Sequence, residues 1–217
     1  MICGLRSLNI RILYSTFFLL LLGVLIPGVS SAGLFGYAEN ERNSLKNFPQ
    51  WLSVLERNIQ HRAPEGDCEN RNFNQCHIKN WLSFLQSIKH LPKMKQVNKV
   101  NLYANQHDYI LDIENYGVGD YWATPREFLY NNGDCEDYAI IKMMSLKKLN
   151  FNMSDIRLVV LQDTNQRIPH AVLAINTAND TLIMDNQVDE VISHKYLLHY
   201  VPVYAVNENK WWMFLPQ

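Results

Sequence analysis

The sequence predicts an α+β domain in which helices come first and an antiparallel sheet follows. Up to Asn150, apolar residues recur at intervals of three and four. After it the texture turns β-branched and alternating, and no repeat, low-complexity run or linker separates the two halves. Of the 217 residues 47% are hydrophobic and 19% charged, which excludes a disordered or collagen-like polymer. A formal charge of −1 leaves no basic excess for nucleic acid, and a single long apolar run excludes a multi-spanning membrane protein.

That run comes first. Arg6 and Arg11 precede the stretch Ile12 to Ile26, and Ser30-Ser31-Ala32 follows it. Charged, then apolar, then small is the order of a cleaved secretory signal, here residues 1–32, with an uncleaved anchor as the alternative. At about fifteen residues the run is shorter than the roughly 20 a bilayer span needs. Cys3 lies before the run, unlike a lipoprotein cysteine. Removing 1–32 takes away two arginines and no acid, so the remaining domain, 33–217, carries −3. It is expected in an oxidising compartment.

Three cysteines then remain, an odd number for an exported chain. Cys68 and Cys76 lie in a Gly-, Asn- and Asp-rich stretch that can fold back, so a local disulfide is plausible there. Cys135 is left as a single thiol, a liability in an oxidising space unless it is buried or used.

Pro49 opens a helix carrying Trp51, Leu52 and Leu55. Trp81, Leu82, Leu85, Ile88 and Leu91 form the stripe of a second, and Met94, Val97 and Val100, with Pro92 at the start, belong to a third. The tryptophans read as core anchors. Thr124-Pro125-Arg126-Glu127 is a helix start, with threonine as cap, proline at the first helical position and glutamate at the third. Asn131-Asn132-Gly133 stops that short helix. Asp134 caps the next, formed by Tyr138 to Leu149, with Lys142, Lys147 and Lys148 expected on its wet side. Ile156–Leu161, His170–Ile175, Thr181–Met184, Val201–Val206 and Trp211–Leu215 are the strand candidates.

Cys135 falls in the first turn of the helix that Asp134 caps, where free N–H groups and the positive dipole end favour a thiolate. Asp134, Glu136 and Asp137 oppose this by surrounding the sulfur with negative charge. Two resolutions are open: a histidine that pairs with the thiolate, or a cation that neutralises the carboxylates. His170 is the preferred partner. Centring the following turn on Ala178-Asn179 puts Asp185 opposite Val172, and His170 two residues along on the same face. Asp185 then orients the imidazole and His170 takes the thiol proton. A one-residue slip would separate them. For a cation, hard carboxylate oxygens suit Ca²⁺, which takes about 6–8 ligands. Asp134 and Glu136 supply part, and the Gly117 to Trp122 segment is placed to add backbone carbonyls. His77 beside Cys76 has no second pair at zinc spacing. The other histidines, His61, His90, His107, His194 and His199, read as surface or satisfied core groups.

The run Trp122-Ala123-Thr124-Pro125 with Glu127, then Asn132-Gly133-Asp134-Cys135-Glu136-Asp137-Tyr138-Ala139, then Pro169-His170-Ala171-Val172-Leu173 and Asp185-Asn186-Gln187 resembles the bacterial transglutaminase-like cysteine proteinases, in particular their periplasmic LapG type. The likeness runs roughly from Trp51 to Tyr204. It implies a papain-like, transglutaminase-like core and a calcium-dependent endopeptidase of the periplasm. Cys135 would be the nucleophile, His170 the base and Asp185 the orienting acid, with Asp134 and Glu136 at calcium-ligand positions. The implied substrate is a large surface adhesin, cut near its amino terminus between two alanines. The implied regulator is an inner-membrane cyclic di-GMP receptor that sequesters the protease. Transfer of the acyl group to an amine, as in transglutaminases, and a calcium-gated binding module with an inert cysteine are the alternatives.

Overall fold

The structure, a computed structural model, describes residues 33–60, 65 and 76–216, all within one compact unit, Ala32–Gln217. The expected leader, 1–32, and Cys68 lie outside the described residues, as does His61. Cys76 is disulfide-bonded. Among the described residues no helix is long and apolar enough to cross a membrane.

The helices are α1 (Pro49–Gln60), α2 (His77–Ile88), α3 (Lys93–Asn105), α4 (Asp112–Asn115), α5 (Pro125–Asn131) and α6 (Cys135–Lys148). Trp51 and Val54 face inward from α1, Trp81, Leu85 and Ile88 from α2, and Val97 and Val100 from α3. Leu52, Leu82 and Met94 are exposed instead. Leu52 and Leu82 each follow a buried tryptophan by one residue and are turned about 100° from it, while Met94 lies in the first turn of α3, ahead of the first buried residue, Gln96. The tryptophan anchors close their own polar ends: Trp51 Nε1 donates to the Asn207 carbonyl (2.8 Å) and Trp81 Nε1 to Ser145 Oγ (2.9 Å).

The strands are β1 (Ala38–Arg42), β2 (Ile156–Asp163), β3 (Ile168–Asn176), β4 (Thr181–Met184), β5 (Ile192–Ser193), β6 (Tyr200–Val206) and β7 (Trp211–Leu215). They form one seven-stranded sheet of order β1-β7-β6-β2-β3-β4-β5, antiparallel at every pairing. This is the α+β arrangement expected, with two strands, β1 and β5, that the sequence reading did not find. Leu158, Ala171, Leu173 and Ile175 pack toward the helices. Val159, Leu161, Val172 and Ala174 face a second, smaller core closed by Leu34, Leu197, Tyr200, Trp212 and Phe214. Burial on both faces explains why β2 and β3 read as nearly continuous apolar runs. Strand β1 (Ala-Glu-Asn-Glu-Arg) is held by Glu39, which takes a bidentate pair from buried Arg157 (2.6 and 2.8 Å).

Two capping boxes set the segment between α5 and α6. Thr124 and Glu127 exchange side-chain and backbone bonds at the start of α5, and Asp134 and Asp137 do so at the start of α6. Asn132 adopts φ 62°, ending α5. Gly133 is needed for space, since a Cβ there would lie 2.1 Å from Asp137 Oδ2 and 2.8 Å from Asp137 Cβ. Gly133→Ala is therefore expected to lower stability by about 1–3 kcal/mol, read as a shift of the urea midpoint. An unchanged midpoint would mean that Asp137 yields freely.

Candidate active site

Cys135 is the first residue of α6 and is half-buried. The Ala171 N–H points at its sulfur and favours the thiolate, so the start of α6 meets β3 at the residue next to His170. The thiol donates to Glu136 Oε2 at 3.2 Å. Burial first, then the Glu136 and Asp134 carboxylates, push the thiol well above its ordinary range.

The hairpin register is the expected one. Leu173 pairs with Met184 and Asn176 with Thr181, so Asp185 follows directly on the ladder opposite Val172. His170 Nε2 and Asp185 Oδ1 lie 2.9 Å apart, both residues buried. Asp185 also accepts from the Gln187 N–H at Oδ1 (3.0 Å) and from the Tyr200 hydroxyl at Oδ2 (2.5 Å). Burial works against its charge, but these bonds and the imidazole hold the carboxyl below its ordinary value. An ionised Asp185 only accepts, so the imidazole carries a proton on Nε2, and Nδ1 is the ring nitrogen left to exchange a proton with the thiol. Tyr200 has no partner in the sequence motifs; it arrives from β6 on the same face, with its ring 5.8 Å from that of His170.

A second feature adjoins the thiol. Asp112, at the start of α4, and Asp120 bring carboxylates within 4.8 Å of Glu136, and Asp112 does the same with Asp134 and Asp137. Asp112 Oδ2 accepts from the Tyr121 N–H (2.5 Å), while Asp112 Oδ1 and Asp134 Oδ1 are buried without a hydrogen-bond partner. Desolvation is the leading cause that raises all four buried or half-buried acids: Asp112 to about 6, Asp134, Glu136 and Asp137 also upward, with mutual repulsion adding to each. Orphaned oxygens and crowded carboxylates are a donor set that fits a hard divalent cation. The Gly117 to Trp122 segment, expected to add backbone carbonyls, lies beside these acids. It supplies the Asp120 carboxylate, while its Trp122 carbonyl is taken by Arg57 (2.5 Å), which also holds Tyr121 and Glu127. Asp137 is engaged otherwise too, accepting from the Ala123 N–H (2.6 Å) and capping α6.

The model of the bacterial transglutaminase-like cysteine proteinases matches residues 62–217. The chain belongs to this family. No curated protein sequence matches it. Among solved structures, LapG from Legionella pneumophila has a TM-score of 0.58 and 25% identity, covering 75% of this chain and 86% of that one. Calcium-bound LapG gives the same values, and the EGTA-treated form differs only in its own coverage, 84%. As a family member the chain is a cysteine protease with a transglutaminase-like fold of the LapG type.

One expectation is corrected. Lys142 does not face solvent: it is fully buried, 0% exposed, because α6 is covered on nearly every side. Lys147 and Lys148 at its end are exposed as expected. Asp112, Asp120, Tyr200 and Lys142 are the site residues that the sequence reading missed or misplaced. Nothing in the local pattern around Asp112 marks it, and its place follows only from the packing of α4 against the loop before α5.

Proposed function

We propose that this transglutaminase-like protease is an exported, calcium-dependent cysteine endopeptidase using Cys135, His170 and Asp185. The observation that carries the reading is the His170–Asp185 pair, 2.9 Å apart, beside a sulfur that faces the Ala171 N–H at the start of a helix. In the first step His170 takes the Cys135 thiol proton as the sulfur attacks a backbone carbonyl carbon, and it gives that proton to the leaving amine as the C–N bond breaks to leave a thioester. In the second, water loses a proton to His170 and its oxygen attacks the thioester carbon; the C–S bond breaks, the new carboxyl end leaves, and His170 returns the proton to the Cys135 sulfur. The Cys135 N–H, at the first turn of α6, is the donor to the developing oxyanion. The Trp122 indole N–H is an unsuitable second donor, because it is bound to Asp120 Oδ1 at 3.1 Å.

Asp112, Asp120, Asp134 and Glu136 would hold calcium, which when bound offsets the negative charge around the thiol. The calcium-bound and EGTA-treated LapG structures support the metal. The raised carboxylates among them, Asp112, Asp134 and Glu136, bind protons more tightly folded than unfolded. Without metal, stability therefore falls as pH rises from about 4 toward the folded values. Calcium replaces those protons, so its stabilising shift is expected to grow from pH 5 to pH 7.5, and Asp112→Asn is expected to abolish it. Melting curves in calcium and in EGTA check this; equal shifts at both pH values would contradict it.

The substrate reading follows from the resemblance to the LapG type: the amino-terminal region of a large surface adhesin, cut between two alanines in the periplasm to release it and promote biofilm dispersal. An inner-membrane cyclic di-GMP receptor would sequester the protease. The test is a digest of a candidate adhesin amino-terminal fragment with calcium, read by intact mass. Two products with alanine at the new ends are expected. Incorporation of a labelled amine without chain shortening would favour acyl transfer instead, and an uncut fragment would remove the substrate assignment.

A further inference from the structure

Lys142 is a buried, chemically capable group that the reaction above does not use. Seven residues separate it from Cys135, about two turns of α6, so both side chains leave nearly the same face of the helix. Its Nζ is fully buried and has no hydrogen-bond partner, with only the Tyr138 ring, 5.8 Å away, from its own helix. Among the described residues the charged groups that bear on it are Asp185 and Asp189, both from the turn that follows β4. That turn is already fixed from α3. Asn105 donates to the carbonyls of Asp185 (3.0 Å) and Val188 (3.2 Å), and Asn101 to those of Val188 and Asp189. The amides' own oxygens, Asn101 Oδ1, Asn105 Oδ1 and Asn186 Oδ1, are buried without a donor. The amides and the turn they hold thus leave buried acceptors without donors, while Lys142 Nζ is a buried donor without an acceptor. From β3 the titratable neighbour is His170, paired to Asp185.

We propose that Lys142 is a positioning residue, whose buried ammonium ties the turn carrying Asp185 to the helix carrying Cys135. The inference rests on the triad reading of the preceding section. A lone buried ammonium has a high desolvation cost unless anions offset it, and here the Asp185 and Asp189 carboxylates act on it electrostatically without a direct ion pair. Burial lowers its pKa to about 7, with Asp185 and Asp189 opposing the fall. Asp185 thus has His170 paired to it from β3 and the Lys142 ammonium acting on it from α6, which would hold the dyad in register with the thiol.

The test uses alanyl-alanyl chloromethyl ketone, which alkylates an active thiol and separates binding (KI) from reaction (kinact), with the site confirmed by peptide mapping. In Lys142→Met, kinact is expected to fall roughly tenfold or more with KI unchanged, while the melting temperature holds or rises because a desolvated charge has gone. Unchanged kinact, or kinact and KI moving together with a lower melting temperature, would overturn the proposal. Should Lys142→Met not fold, the wild-type Lys142 Cε resonance decides: a titration midpoint near 7 is expected, and a neutral amine from pH 5 to 9 would overturn it. Failure of the triad reading looks different: wild-type Cys135 would itself react no faster than a free thiol.

Discussion

Cys135→Ala is expected to abolish cleavage of the adhesin fragment, a loss of at least about 10⁴-fold, and to leave the fold intact. The stability half of this expectation is as specific as the activity half. The sulfur does not start α6; the Asp134–Asp137 capping box does, and alanine is at home in a helix's first turn. What the thiol contributes is a hydrogen bond to Glu136 and a contact with the Ala171 N–H. Removing it from a crowd of carboxylates removes a group that burial and charge already disfavour in its ionised form. Melting temperature and circular dichroism should match the wild type, while intact mass shows only uncut fragment. Normal cleavage by a folded Cys135→Ala protein would end the nucleophile assignment.

Asp185 gives the second large effect, and the substitution chosen decides its size. Asp185→Ala strands the Nε2–H of His170, the Tyr200 hydroxyl and the Gln187 N–H, all now satisfied by one carboxylate. The imidazole loses its orientation and its tautomer preference, with a cost of roughly 10³–10⁴ in kcat. Stability should fall too, by about 1–3 kcal/mol for a stranded buried donor. Asp185→Asn is expected to be far milder. Both donors at Oδ1 require an oxygen there, which turns the amide –NH₂ toward Tyr200, whose hydroxyl can accept as well as donate. The tautomer survives, and kcat should fall only about tenfold, since the charge alone is lost. Rate and urea midpoint measured on both variants separate the effects. Equal losses for Ala and Asn would show that the charge matters more than the orientation.

Much of this site was legible because its parts are local. Thr124 to Glu127 and Asp134 to Asp137 announce helix starts through short-range hydrogen bonds, and the hairpin register follows from one turn centred between β3 and β4. That register alone suffices to bring His170 to Asp185, and the second helix start places Cys135. The parts that were not legible depend on contacts far apart in sequence. Tyr200 lies on the other side of β2 from β3, two strands from His170 in the sheet order, and Asp112 reaches Glu136 only through the loop packing that Arg57 maintains. Lys142 was misplaced because a lysine on an amphipathic-looking helix ordinarily marks the wet face; here α6 is packed between α3, α5, β2 and β3, and that face is buried. Strand β1 escaped notice because Ala-Glu-Asn-Glu-Arg carries no apolar alternation. It is a strand because β7 offers an edge and Arg157 offers Glu39 a partner.

The acid response of the fold has a worked sign. Asp185 and Glu39 have folded values below their ordinary ones, so they stabilise the protein above about pH 4 and that contribution is lost as pH falls through the lowered values.

All of the chemistry depends on Cys135 being made nucleophilic by His170. The rate of iodoacetamide alkylation at Cys135, in calcium at pH 7 and mapped by peptide mass, measures this without any knowledge of the substrate. The wild type should react at least about tenfold faster than a free thiol, and His170→Asn should drop to the free-thiol rate or below it. Equal rates in the two proteins would contradict the account.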